Sequence, residues 1–96
     1  MSELPIPPET TSATRADELL RGWIIDNRLV CSLRPSFWGD EPERWGLLLA
    51  DALHHVCDAL ALESSNDKTE LKQAMVRSFL AEIRNPTGGH RGEFVE

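Results

Sequence analysis

Four side chains between positions 51 and 58 could do chemistry together: Asp51, His54, His55 and Asp58. Their spacings of three and four place them on one face of a helix. Imidazole and carboxylate arranged this way can ligate a divalent metal, or the carboxylate can orient a histidine for proton transfer. One helix face supplies only a partial ligand shell, so a metal on Asp51, His54, His55 and Asp58 would need further donors, for example from a second copy across a two-fold axis. The plainer reading is a solvated face with weak i,i+4 pairing.

A second group is aromatic. Phe37, Trp38 and Trp45 flank an expected helix start, where rings and free backbone N–H groups could hold a small anion or planar ligand, making Trp38 and Trp45 a possible pocket. The plainer role is a plug that seals one end of a small core, with Trp38 and Trp45 straddling the cap in the manner of a hydrophobic staple.

The third group lies in LLRGWIIDNRLVCSLRP, where Trp23, Ile25 and Val30 are flanked by Arg21, Arg28 and Arg34. Tryptophan and arginine are enriched in interface hot spots, and a purely solvated face seldom gathers Trp, Ile and Val. These six residues are the candidate interface. An exposed half-apolar sheet, or one covered by the chain's own N-terminal arm, is the plainer alternative. The sequence has no nucleophile elbow, phosphate-binding glycine loop or zincin motif, so it names no reaction class, no catalytic residue and no cofactor.

The elements that position these groups follow from periodicity. Two β-rich runs flank Asp26-Asn27, residue types that tolerate the positive φ of a tight hairpin turn. A turn there pairs Ile25 with Arg28, Ile24 with Leu29, Trp23 with Val30, Gly22 with Cys31, Arg21 with Ser32 and Leu20 with Leu33. One face is then Leu20, Gly22, Ile24, Leu29, Cys31 and Leu33, and the other carries Arg21, Trp23, Ile25, Arg28, Val30, Ser32 and Arg34. Asp40 as N-cap, Pro42 in the first turn and Glu43 predict a helix running to about Leu62. Its apolar arc is Trp45, Leu49, Ala52, Leu53, Val56, Cys57 and Leu60, with the Asp/His quartet opposite. Asn66 or Asp67 caps a second helix that ends near Arg84 and carries Leu71, Met75, Val76, Phe79, Leu80 and Ile83. The short ESSN loop makes the helices antiparallel neighbours. The expected fold is α+β: a β-hairpin, then two antiparallel amphipathic helices packed on its inward face.

At 96 residues the chain holds one domain, placed at 18–86. Residues 1–17, with three prolines and few apolar side chains, read as a flexible arm, and 87–96, which include His90, as an exposed tail. No uninterrupted apolar run approaches the roughly 20 residues of a membrane span, and the N-terminus lacks the pattern of a signal peptide, so a cytoplasmic protein is expected. Cys31 and Cys57 read as reduced core residues. A net charge of −6 argues against nucleic acid and anionic lipid as partners. Locally the hairpin is basic, with Arg21, Arg28 and Arg34 against Asp26, and the first helix is acidic.

The hairpin LLRGWIIDNRLVCSLRP, Trp38 before the helix, and Trp45, Gly46, Leu48, Leu49, Ala50, Asp51 and His55 within WGLLLADALHH together resemble a family of short bacterial proteins classed only as a domain of unknown function. The resemblance spans roughly residues 18–86, with His54 and the Asp-Asn turn as departures. It implies the ββαα order and no activity. The residues themselves favour a non-enzymatic interaction module that forms a homodimer through the hairpin's outer face. The alternative is a metal- or small-ligand-binding protein, with or without enzymatic activity, built on the Asp/His helix face.

Overall fold

The computed structural model describes residues 2–87 and the backbone of 93–95. Asp26 and Asn27 both adopt left-handed backbone, at φ 51° and 65°, the geometry of a two-residue turn whose twist matches that of the strands it joins. It connects β1, Leu20–Ile25, to β2, Arg28–Leu33, in the register expected from Leu20 opposite Leu33 to Ile25 opposite Arg28.

The segment after β2 does not reverse over the sheet. Backbone bonds from Phe37 N–H to Arg34 O, Gly39 N–H to Ser36 O and Glu41 N–H to Trp38 O wind it into consecutive turns. Gly39 takes the one positive-φ position in this stretch, at 62°, which costs glycine nothing. The helix labelled α1 is a single turn, Glu9–Ser12. The first long helix, α2, runs Glu43–Glu63. Asp40, expected as its cap, is not the cap: Pro42 holds that position in helical geometry without a side-chain cap bond. The Arg44 and Trp45 N–H groups bond to the carbonyls of Glu41 and Pro42, so a tight turn leads into the helix instead.

Helix α3, Lys68–Arg84, is capped as expected: the Asp67 carboxylate accepts from the Glu70 N–H at 3.1 Å. Lys68 faces Asp58, and Met75 faces Cys57. Partners that advance along one helix while receding along the other make the pair antiparallel. The ββαα order is therefore present as expected.

Three features depart from the sequence reading. The arm contains α1, whose hydroxyls at Thr10, Thr11 and Ser12 bond back to the carbonyls three residues earlier. The expected tail supplies a third strand, β3, Glu93–Val95, parallel to β2, so the sheet order is β1-β2-β3; His90 lies outside the described residues. Most consequential, the helices do not pack on the hairpin: among the described residues no strand Cα lies within 8 Å of a Cα in α2 or α3. The turns of 34–41 are the reason, together with a bond from the Trp45 indole N–H to Pro35 O at 3.2 Å that ties the first turn of α2 to the strand's exit. The radius of gyration is 15.3 Å, where a compact chain of this length would show about 12.5 Å.

Candidate interaction surface

The sequence allots the hairpin an inward and an outward face, and each is covered only in part. On the outward face Arg21, Trp23 and Val30 are half-buried, while Ile25, Arg28 and Arg34 are exposed. The cover is the chain's own N-terminal arm. Arg21 donates to Glu3 at 2.9 Å and to Glu18 at 3.0 Å, and Glu18, then Glu3, raises its guanidinium pKa further. Arg34 donates from its side chain to Glu18 O at 3.0 Å. Between arm and β1 lies an open cleft of about 870 Å³ lined by Leu4, Ile6, Leu19, Trp23 and Leu48 among others. Of the candidate interface residues, the structure thus brings Arg21 and Trp23 under the arm and leaves Ile25 and Arg28 facing outward.

The inward face is covered in part: Cys31 and Leu33 are half-buried, and Leu20 and Gly22 line the same cleft beside the arm. Ile24 is 73% exposed, Leu29 48% and Leu20 41%. Gly22 keeps the middle of this face shallow, and the Leu29 side chain lies over it, with Cδ1 3.5 Å from where a Cβ would stand.

The helices show the same incompleteness. Leu53, Cys57 and Ala61 of α2 meet Leu71 and Met75 of α3 in a narrow seam, whose centre, Cys57, is the one buried residue described. Its Sγ lies 3.3 Å from Met75 Sδ. The rest of the expected apolar arc, Leu49, Val56 and Leu60, stays exposed, as do Val76, Phe79, Leu80 and Ile83. By length and composition α2 is also able to cross a membrane, with a mean hydropathy of 1.2.

Asp51, His54, His55 and Asp58 are all exposed on the opposite side of α2. Asp58 is taken by Lys68 at 2.6 Å, and this hydrogen bond, with a smaller attraction from the two histidines, holds its carboxyl below the ordinary 3.8. Among the described residues no group of three or more His, Cys, Asp or Glu is placed to hold a metal ion. Of the four, Asp58 is engaged by Lys68 from the neighbouring helix, and all four lie on the exposed helix face that was the plainer reading. Trp38 and Trp45 are half-buried beside the start of α2. Their rings meet edge to face at 5.3 Å, Phe37 adds a second edge contact at 5.4 Å, and the Arg15 guanidinium sits 5.7 Å from the Phe37 ring.

Residues 3–87 match the family described as Domain of unknown function (DUF5076). The chain belongs to the DUF5076 family. Because the match begins at residue 3, Glu3 of the arm, like Glu18 just after it, lies inside the DUF5076 domain. A solved structure described as a putative pyruvate dehydrogenase from the photosynthetic bacterium Rhodopseudomonas palustrus CGA009 is similar at 34% identity with a TM-score of 0.71. The similarity covers 93% of this DUF5076 chain and 90% of that one. No curated protein matches.

The sequence reading missed two features. The pairing of Arg21 with Glu3 joins residues eighteen apart, which no periodicity reports, although Glu18 three positions before Arg21 was a readable hint. The partial cover of the inward face is also absent from a pattern that records which side chains want burial and not what buries them.

Proposed function

We propose that this protein is a non-enzymatic interaction module that works in the cytoplasm as a homodimer. One observation carries the reading: the chain exposes 8335 Å², whereas a compact monomer of its 10.8 kDa would expose about 5,500 Å². Ile24, Leu29, Leu49, Val56, Phe79 and Ile83 are among the large apolar side chains left exposed, and apolar surface of this kind favours burial in a partner.

The description of the R. palustrus protein would make this chain a pyruvate-oxidising enzyme or part of one. The geometry offers that reading no support. His54 and His55 stand exposed, and the arginine nearest the large cleft, Arg21, is committed to Glu3 and Glu18. A membrane as the acceptor for α2 is disfavoured by Asp51 and Asp58 within the helix, since each carboxylate at the bilayer centre costs about 2.5–3.5 kcal/mol on insertion scales.

Light scattering of the full chain at tens of micromolar should return twice the mass of 10.8 kDa. A monomer at high micromolar concentration would remove the proposal. Ile25→Asp asks whether the outward hairpin face takes part: dissociation places it in the contact, and a retained dimer removes it.

A further inference from the structure

The N-terminal arm is fastened firmly at its inner end and tied lightly at its outer one. At the inner end the Arg15 guanidinium bonds Asp17 at 2.8 Å and sits over the Phe37 ring. Glu18 is held twice, its carboxylate by Arg21 and its carbonyl by Arg34. At the outer end the tie is the Glu3 carboxylate, which accepts from Arg21 at 2.9 Å with its own side chain 65% exposed. Among the described residues no backbone hydrogen bond joins 2–7 to a strand. Leu4 and Ile6, 87% and 68% exposed, add little burial, and the open cleft of about 870 Å³ separates this stretch from β1. Pro5 and Pro7 fix their own φ and hold Leu4 and Ile6 toward extended backbone, so residues 2–7 are stiff and span the cleft without filling it.

The stretch lies across the free edge of the sheet. In the order β1-β2-β3, β1 has a strand on one side only among the described residues. The bond from Arg34 N–H to Leu19 O continues the ladder past Leu20. Antiparallel alternation then turns the N–H and C=O groups of Leu20, Gly22 and Ile24 away from β2. Leu20, Gly22 and Trp23 line the cleft opposite the arm. An unpaired edge recruits other chains, and a covering segment is one way to prevent it.

We propose that residues 2–7 are a strap, latched by Glu3 on Arg21, that guards Trp23 and the free edge of β1 and swings aside when the ion pair is broken. An ion pair between exposed groups is weak and screened by salt, which suits a latch that must release. Opening does not strand Arg21, because Glu18 stays beside it at 3.0 Å. The strap belongs to a single chain, so it does not depend on the homodimer reading.

The test uses the full chain labelled with 5-fluorotryptophan, with the Trp23 fluorine resonance assigned by its loss in Trp23→Phe. Broadening by a neutral nitroxide in solution reads how freely each ring is reached. Glu3→Gln removes an exposed charge and no packing, so it should increase the broadening of Trp23, and Glu3→Lys, which sets like charge against Arg21, should increase it further. Sodium chloride at about 1 M, where screening acts within roughly 3 Å, should bring the wild type toward Glu3→Gln. An exposed pair contributes up to about 1 kcal/mol, so the ratio of open to closed strap should rise by up to about fivefold. Trp38 and Trp45, which do not line the cleft, should not respond. A Trp23 signal indifferent to both substitutions would overturn the latch. So would one that broadens together with Trp38 and Trp45, since the change would then be a loosening of the whole chain. Protection of Trp23 that develops only as chain concentration rises would assign the cover to a second copy, overturning the strap and leaving the homodimer standing.

Discussion

Asp58 has a basic partner across the helix seam and two histidines on its own helix. Its carboxyl lies below the ordinary 3.8, chiefly through the hydrogen bond from Lys68, and Lys68 is raised in turn by Asp58. A carboxylate depressed on folding stabilises the fold above its unfolded pKa, and that contribution is lost as pH falls through the lower folded value. Carbon-detected NMR titration should place the Asp58 midpoint below that of a free aspartate, and Lys68→Ala should return it toward 3.8. A wild-type midpoint at or above that value would mean the pair does not form in solution. The group is fully exposed, so the effect on global stability is small. The same residue shows what the sequence could not reveal. Spacing put Asp58 beside His54 and His55, but the partner that decides its chemistry is ten positions away on another helix.

At the scale of elements, the hairpin was legible because its information is local. Alternation separates two faces, and Asp26-Asn27 can bear positive φ, so turn and register agree. Asn27→Ala should lower stability by about 1 kcal/mol, since a Cβ-bearing residue without a compensating side-chain bond pays roughly 1–2 kcal/mol in left-handed geometry. Asn27→Gly should be neutral or stabilising. Urea midpoints at one chain concentration check both, and equal midpoints for the two variants would show that the turn is not held at positive φ. The α3 cap was legible for a similar reason, because Asp67 and Glu70 have capping spacing. Asp67→Ala should cost about 1 kcal/mol in the same assay. The α2 start was misplaced because Asp40-x-x-Glu43 has equally good spacing, while Pro42, with φ preset near the helical value, nucleates the turn from within. What covers each face was not legible at all. The alternation of Leu20, Ile24 and Leu29 demands a cover, and a cover from another chain leaves the same pattern as one from the same chain.

At the scale of the whole molecule, one buried residue among those described and a narrow helix seam give a chain of 96 residues little of its own to resist unfolding. A single hydrophobic core in this size range rarely supplies more than roughly 3–5 kcal/mol, and here most of the core-forming side chains are still in water. If the second copy completes the core, folding and association are one equilibrium, and the midpoint of thermal unfolding must depend on chain concentration. A tenfold increase in concentration is worth about 1.4 kcal/mol per dimer. An unfolding entropy near 2.1 cal/mol/K per residue over two chains then converts this to a rise of about 3 to 4 °C. Scanning calorimetry between roughly 5 and 500 μM should therefore show the midpoint climbing by two such steps, with Ile24→Asp and Val56→Asp lowering it at every concentration. A midpoint independent of concentration over that range would mean that the protomer is stable alone, with its open faces reserved for a different protein.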